Sequence, residues 1–291
     1  MLTNSADVVS LHQIYYRPEQ VKLLDAASTP YDNSAYTAHT QSEFDIFRRV
    51  FHAGALDGDI TGYLSWKFTE KSCVTVGEFK RFVEDNPGFD VYFINPFPEL
   101  IAWKNVWIQS IRHHPTLLPI AAEIFRSVHP GILLTEETHG HDVLSYCNYW
   151  AGSGEFWKDY MEFAEPIYDF IEHKASDDFR RAISGRADQI IKGDHRPFIF
   201  ERVFSTFLNS AKPRRLAYRY PKEHLESEWG ARAATLIEML QERLNEDEQV
   251  RLRAELVKVL KFDRATPLLE KVGTRLRRSA QWQRLRAVLR R

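Results

Sequence analysis

Short strand-like segments alternate with helix-like segments through the first 220 residues, and this alternation limits the fold more than any other feature. Val8–Tyr16 is rich in β-branched and aromatic residues and predicts an opening strand, and Ile60–Phe68 predicts a second. Between them, Glu43–Ala53 carries its apolar residues at helical spacing. Strands that alternate with helices are typical of an α/β sheet, so the sequence predicts that class.

The rest of this region continues the pattern. Thr75 followed by Glu78 is a capping-box pair and predicts a helix through Glu84. The polar run Ser28–Ala38 predicts a loop. The remaining predictions are strands at Phe89–Ile94 and Cys147–Ala151, and helices at Pro18–Ala27, His114–Arg126, Glu155–Ile171 and Arg196–Asn209.

Beyond Tyr220 the sequence becomes charged and periodic in a helical sense. We therefore predict two domains, 1–220 and a helical extension at 221–291. Its predicted helices are Glu223–Leu244, Glu246–Leu260 and Pro267–Arg290. Residues 271–291 carry eight basic residues, no acidic residue and an apolar stripe. This basic amphipathic helix fits peripheral contact with an anionic membrane, or packing on the core or on a second subunit of a homo-oligomer.

Composition excludes several classes of protein. The 39 basic and 40 acidic residues nearly cancel, so no attraction to nucleic acid is expected. Two cysteines among 291 residues are too few for a disulfide framework, which fits a reducing cytoplasm. No apolar run reaches the roughly 18 residues of a membrane span, and the first residues lack a secretory signal pattern. We expect a cytoplasmic protein, at the inner face of the cytoplasmic membrane if the tail binds lipid.

Polar residues at the predicted strand ends are the first candidates for ligand binding, because ligands of α/β sheets collect at the carboxyl ends of strands. Asp32 and Asn33 follow the first strand, where they either shape a turn or contact a nucleotide. Trp66 and Lys67 end the second strand and combine a stacking surface with a cation for phosphate, unless Lys67 is only solvated.

Three further stretches carry polar candidates. Asp90 either binds a ribose or metal or caps the strand entrance, and Asn95 lies in an Asn-Pro turn. Asn148 interrupts an apolar strand, and a buried amide needs a hydrogen-bond partner, of which a ligand is one candidate. Glu201 and Arg202 interrupt an apolar helix and are expected to pair with each other or with a ligand.

The segment Thr135–Asp142 holds two histidines beside three carboxylates. It is either a polar loop without chemistry, a metal site, or a source of acid–base groups from Glu137, His139 and Asp142. No phosphate-binding glycine-rich loop, dinucleotide fingerprint, Cys-x-x-Cys pair or nucleophile elbow is present in the sequence.

Taken in order, these stretches resemble the small bacterial glycosyltransferase-like proteins of capsular and lipopolysaccharide biosynthesis. The resemblance extends over about residues 8–210 and rests on scattered positions. These positions are Asp32-Asn33, Glu43, Gly62–Phe68, Asn148–Trp150, Trp157, Tyr160 and Glu201–Phe204.

The resemblance implies a GT-A-like, Rossmann-type mixed sheet flanked by helices. It implies a nucleotide-sugar donor whose sugar passes to a saccharide or lipid-linked saccharide acceptor. The base and ribose would lie near Tyr15, Asp32 and Asn33, with Trp66 and Asn148 lining the cleft. Lys67 would face the diphosphate, and Asp90 the sugar or ribose.

One departure from the family concerns metal. Metal-dependent GT-A enzymes carry an Asp-x-Asp pair, and the matching region here reads Asp90-Val91-Tyr92. Mn²⁺ or Mg²⁺ is therefore absent or held differently, which leaves Lys67 or Arg202 to neutralise the departing diphosphate.

The leading hypothesis is thus a glycosyltransferase of surface-polysaccharide assembly (capsule or O-antigen), with a base from Glu137, His139 or Asp142 if the reaction inverts the anomeric carbon. Two alternatives stay open. One is a metal-dependent hydrolase built on His139, His141 and Asp142, and the other is a non-catalytic scaffold with a transferase-like core.

Overall fold

The computed structural model describes residues 8–36, 43–185, 195–242 and 244–261. The chain divides into two units, Met1–Arg219 and Tyr220–Arg291, close to the predicted boundary at Tyr220. Each unit is described separately.

Within the described residues of the first unit, six strands form one sheet in the order β2-β1-β3-β5-β4-β6. The strands are β1 (Val9–Tyr15), β2 (Thr29–Asp32), β3 (Ile60–Ser65), β4 (Val91–Phe93), β5 (Trp150–Ser153) and β6 (Arg215–Ala217). β1 is parallel to β2 and β3, β5 is antiparallel to both of its neighbours, and β4 is parallel to β6. The predicted α/β class is confirmed as a mixed sheet flanked by helices, compatible with a Rossmann-like fold.

The helices of this unit connect and cover the strands. They are α1 (Glu43–His52), α2 (Phe68–Ser72), α3 (Val76–Glu84), α4 (Val106–His113), α5 (Leu117–Val128), α6 (Gly154–Asp169), α7 (Asp177–Ile183) and α8 (Arg196–Ala211). Short 3₁₀ helices lie at Pro18–Leu23 and Pro98–Ala102, and a π-helical turn at Phe170–Lys174 extends α6. The predicted capping box of α3 is confirmed, since the Glu78 backbone N–H donates to Thr75 Oγ1 and the Glu78 carboxylate accepts from the Thr75 N–H.

β3 is the central strand, and all six of its residues are buried. It lies between β1 and β5, so its neighbours approach closely from both sides. At Gly62 an added Cβ would lie 2.8 Å from the Trp150 carbonyl oxygen and 2.9 Å from the Ala151 Cβ. The absent side chain therefore permits the β3–β5 pairing.

Aromatic side chains fill the core between the sheet and α1, α6 and α8. Trp150 of β5 stacks on Phe204 of α8 at 5.4 Å and lies 4.4 Å from Trp157 of α6. The Trp157 indole N–H donates to the Thr61 carbonyl at 2.9 Å, so its polar atom is satisfied inside the core. This packing fixes α6 and α8 against the strands whose ends form the candidate site.

The structure differs from the sequence predictions at several elements. The helix predicted from Pro18 is a 3₁₀ helix, and the loop predicted at 28–38 contains the edge strand β2, whose residues are mostly exposed. Exposed edge strands lack the apolar alternation on which the prediction depended. β6, α2, α4 and α7 were not predicted; β6 and α2 are very short, with three and five residues.

The second unit contains α9 (Lys222–Trp229), α10 (Ala231–Leu240) and α11 (Glu246–Val259). The single helix predicted at Glu223–Leu244 is therefore wrong. It is divided at Gly230, whose φ of 84° does not continue a right-handed helix. The predicted helix Pro267–Arg290, with its membrane or subunit contact, lies outside the described residues. Within the described part of the chain, no helix is both long and apolar enough to cross a membrane.

Candidate functional site

One edge of the sheet collects the ends of several strands. β1, β2 and β3 are parallel and end at this edge, and the antiparallel strand β5 begins there. The chain passes from β1 to β2 on one side and then returns to β3 on the other side of β1. Open α/β sheets bind ligands at such a reversal of strand order. We call this edge the carboxyl edge.

A lysine beyond the end of β3 is the centre of a polar cluster. Lys71 of α2 donates from Nζ to Cys147 Sγ at 3.5 Å. The pKa of Lys71 is raised well above its usual value, first by Cys147 and then by Tyr149, Glu201 and Glu43, against the opposing effect of burial. We call these groups, with the adjoining Tyr16, the Lys71 cluster. Its members are Tyr16, Glu43, Lys71, Cys147, Tyr149 and Glu201.

Glu43, the first residue of α1, contributes a carboxyl group to this cluster. Burial raises the pKa of Glu43, the negative charge of Glu201 raises it further, and Lys71 lowers it. The nearby Tyr16 has its pKa raised by burial and then by Glu43. A carboxyl with a raised pKa accepts a proton more readily near neutral pH, which is what a general base requires.

Cys147 contributes a neutral thiol to the cluster. Burial raises the pKa of Cys147 to about 12, although Lys71 lowers it. With the thiol neutral, the carboxyl groups of Glu43 and Glu201, rather than a thiolate, are the groups that can balance the charge of Lys71. Cys147 also adopts a φ of 64°, which is rare for a residue other than glycine and is typical of functional sites.

Polar atoms without a hydrogen-bond partner among the described residues flank the Lys71–Cys147 contact on both chain segments. They are Thr69 Oγ1, Glu70 Oε1, Asn148 Oδ1 and the Tyr149 hydroxyl. Asn148 is 5% exposed and Tyr149 is 1% exposed, so neither side chain reaches bulk water. Burial raises the pKa of the Tyr149 phenol well above its usual value, and Ser65, which lies near the phenol, partly offsets this rise. A buried polar group without a partner costs about 1–3 kcal/mol, so a ligand or water is expected here.

Trp66 and Lys67 lie at the same edge. The Lys67 ammonium is 4.9 Å from the centre of the Trp66 ring, and both side chains are partly exposed. Burial and then the charge of Lys71 lower the pKa of Lys67, while Glu70 raises it. The structure therefore places a second ammonium group beside the Lys71 cluster.

Tyr15, Asp32 and Asn33 are together at the ends of β1 and β2. The Tyr15 hydroxyl hydrogen-bonds to Asp32, and bonds from Ser34 and Tyr15 lower the pKa of Asp32. Asp32 Oδ1 also accepts from the Ser34 backbone N–H at 2.8 Å, as in an Asx turn. Asn33 is buried and accepts from the Arg49 guanidinium. These groups line the edge on the β2 side.

Three residues predicted to bind the donor, Asn95, Arg202 and Asp90, are hydrogen-bonded to other parts of the protein. The Asn95 amide binds Phe97 backbone atoms at 3.1 Å in its own turn. Arg202 donates to the carbonyls of Val106 and Phe198 and to Gln109 Oε1, each at 3.0 Å.

Asp90 is at the opposite edge, where it precedes β4. Its Oδ1 accepts from the Arg214 guanidinium Nε at 3.1 Å, and its Oδ2 accepts from the Arg214 backbone N–H at 2.8 Å. Asp90 therefore connects the starts of β4 and β6, and it is not among the residues that the structure brings together.

Of the three predicted catalytic residues, Glu137 and His139 are in contact, whereas Asp142 pairs elsewhere. His139 is fully buried with its Nε2 3.1 Å from Glu137 Oε2, and its backbone N–H donates to the Lys104 carbonyl. Asp142 pairs with Arg215 at 2.6 Å, at the start of β6. Within the described residues, no group of three His, Cys, Asp or Glu side chains is arranged to hold a metal ion. Asp90 is hydrogen-bonded to Arg214 and does not fit a metal site either.

Sequence reasoning did not select most of the Lys71 cluster. Glu201 was selected as a charged residue inside the apolar helical run FIFERVF, and Glu43 and Tyr149 entered through the family resemblance. Lys71 and Cys147 were not selected as site residues, because neither interrupts an apolar pattern. Comparison of the chain with protein-family models, curated proteins and solved structures found no match.

Proposed function

We propose that this protein is a glycosyltransferase that binds a nucleotide-sugar at the carboxyl edge and transfers the sugar to a saccharide acceptor, in the assembly of a bacterial surface polysaccharide. The observation that carries the proposal is the Lys71 cluster at the reversal of strand order, flanked by buried polar atoms without described partners. A carboxyl with a raised pKa, two ammonium groups and free hydrogen-bonding atoms are the groups that this reaction needs.

The cations suit the leaving group. Lys67 and Lys71 would neutralise the diphosphate as the bond between its oxygen and the anomeric carbon breaks. Trp66, beside Lys67, offers a flat surface for the nucleoside base. Tyr15, Asp32 and Asn33 would contact the base or ribose from the β2 side.

Glu43 takes the role of the base, in place of Glu137, His139 and Asp142. An acceptor hydroxyl attacks the anomeric carbon, its proton passes to the Glu43 carboxylate, and the nucleoside diphosphate leaves. His139 is fully buried and Asp142 is paired with Arg215 at the opposite edge, so neither suits this role. Attack on the face opposite the leaving group inverts the anomeric carbon.

Nucleotide titration tests the donor site. UDP, GDP and CMP are titrated into the full chain by calorimetry, and at least one is expected to bind in the millimolar range or tighter. Lys67→Gln should weaken that binding about tenfold, since it removes a cation facing phosphate. Lys158→Gln is the matched control, because Lys158 is exposed and, among the described residues, pairs with Glu162 on its own helix. If no nucleotide binds, the donor-site proposal is wrong.

Turnover tests the base. Glu43→Gln should lower kcat at least about 100-fold while nucleotide affinity stays within about threefold. Glu155→Gln, an exposed residue in the first turn of α6, should change neither quantity. Equal kcat values for Glu43→Gln and the unmodified chain would exclude Glu43 as the base.

A further inference from the structure

We propose that the sugar recognised at the carboxyl edge is uncharged and polyhydroxylated, and that uronic and sialic acids are excluded. This inference rests on the proposed function and adds the chemical class of the sugar. It depends on two observations, the buried polar atoms without described partners and the signs of the charges around them.

The unpartnered atoms define which ligand groups fit. Asn148 Oδ1 can only accept hydrogen bonds, as can Glu70 Oε1 when that carboxyl group is ionised, whereas Thr69 Oγ1 and the Tyr149 hydroxyl can accept or donate. A phosphate oxygen supplies acceptors and no donor, so it does not satisfy Asn148 or Glu70. Sugar hydroxyls supply both a donor and acceptors, and several of them on one ring would satisfy several of these atoms together.

These atoms belong to two segments joined at one contact. Thr69 and Glu70 precede Lys71 in α2, while Asn148 and Tyr149 follow Cys147 before β5. The Lys71 Nζ–Cys147 Sγ contact of 3.5 Å brings the two segments together. The orphaned atoms therefore lie beside the same cluster as the proposed base, where the sugar ring must be for transfer.

The charges disfavour an acidic sugar. Glu43 and Glu201 act on Lys71, and Glu70 acts on Lys67 and Lys71, so three carboxyl groups meet two ammonium groups. Arg202 also lies beside Glu201, but its guanidinium donates to two backbone carbonyls and to Gln109. Burial raises the pKa of Glu70, which shows that negative charge is already costly at this position. With both ammonium groups also facing the diphosphate, a sugar carboxylate would have like charges as its nearest neighbours.

Matched pairs of nucleotide-sugars test the inference. UDP-glucose is compared with UDP-glucuronate, and UDP-galactose with UDP-galacturonate, with free UDP as reference, by calorimetry on the full chain. The neutral member of at least one pair should bind about tenfold or more tighter than its uronate. Equal or tighter binding of the uronate in both pairs overturns the inference while leaving nucleotide binding, and hence the proposed function, intact.

Substitutions of Glu70 and Thr69 test whether these residues cause the preference for a neutral sugar. Glu70→Gln should reduce the preference for the neutral sugar to about threefold or less, because it removes one of the like charges. Glu84→Gln, an exposed residue that pairs with Lys80 at 3.9 Å, should leave the preference unchanged. Thr69→Val, which preserves side-chain shape, should weaken UDP-glucose about threefold or more without weakening UDP. An unchanged preference in Glu70→Gln refutes the charge argument.

A nucleotide-free measurement separates this inference from the proposed function. Methyl glucoside and methyl glucuronoside are compared by saturation-transfer difference NMR. If UDP, GDP and CMP all fail to bind, the proposed function fails, and the inference is then decided by these glycosides alone. A signal from the neutral glycoside that Asn148→Ala abolishes supports the inference, whereas no signal, or an equal signal from the glucuronoside, overturns it.

Discussion

Replacing Lys71 with methionine tests whether the Lys71 cluster is held together by charge. Methionine preserves most of the apolar length of the side chain but removes the ammonium group. Lys71 is the cation that lowers the pKa of Glu43, whereas Glu201 also has Arg202 beside it. Glu43 would therefore be left as a carboxylate without its counter-charge.

The expected cost follows from this arrangement. Removing one partner of a buried ion pair costs about 3–5 kcal/mol. Lys71 acts on Glu43 by charge without a direct ion pair among the described residues, and Glu201 keeps Arg202, so we expect a cost below this range, about 2 kcal/mol near neutral pH. Protonation relieves the stranded charge, so the cost should shrink as the pH falls through the raised pKa of Glu43.

Urea denaturation followed by tryptophan fluorescence measures this cost, since five of the seven tryptophans lie in the first unit. The midpoint of Lys71→Met should fall by about 1 M or more at about pH 8 and by clearly less at about pH 5. Adding Glu43→Gln should recover at least about half of the loss. Lys158→Met, at an exposed lysine, should cost less than about 0.5 kcal/mol. A loss below about 1 kcal/mol at pH 8, or the same loss at both pH values, would refute the reasoning.

Three further predictions concern single residues. Glu43→Gln should gain stability relative to the unmodified chain between about pH 4 and pH 8. A carboxyl group whose pKa is raised in the folded state destabilises the protein as the pH rises through that pKa, whereas glutamine does not titrate. A difference in urea midpoint between the two chains that does not change with pH would contradict this. Ellman's reagent should titrate Cys73 quickly and Cys147 only after unfolding, because Cys73 is exposed whereas burial raises the pKa of Cys147 to about 12; rapid titration of both thiols would contradict the burial. Gly62→Ala should lower the free energy of unfolding by about 1–3 kcal/mol in calorimetric melting, because the added Cβ would press on Trp150. The control Gly131→Ala, whose Cβ would meet open space, should lower it by less than about 0.5 kcal/mol. Equal losses would contradict the close approach at Gly62.

The sequence predicted the class of the fold through local patterns. β1 and β3 are mostly buried and rich in β-branched and aromatic residues, and α3 carries its own capping box, so each could be found from neighbouring residues alone. β2 was not predicted because an exposed edge strand has no apolar face. The division between α9 and α10 was not predicted because the positive φ of Gly230 is visible only in the backbone.

The candidate site was harder to predict from the sequence than the fold, for a different reason. Lys71 and Cys147 are 76 positions apart, and their contact exists only because β3 and β5 are neighbours in the sheet. Asp90 and Asp142 carry the chemistry of site residues, yet each is bound to an arginine at the start of β6. Residue type alone does not separate a carboxylate that links two chain segments from one that lies beside buried polar atoms without a described partner.

The sheet topology explains why the candidate site is at this edge and nowhere near Asp90. Antiparallel β5 brings the start of its strand to the edge where β1 and β3 end, so Cys147, Asn148 and Tyr149 meet α2 there. The parallel strands begin at the opposite edge, where Asp90 and Arg214 form an ion pair that connects the starts of β4 and β6. Catalysis would require charged groups beside polar atoms that a substrate can satisfy. Lys71 and its two carboxyl groups have such atoms next to them, because the flanking residues of α2 and of the segment before β5 carry buried polar atoms without a partner among the described residues.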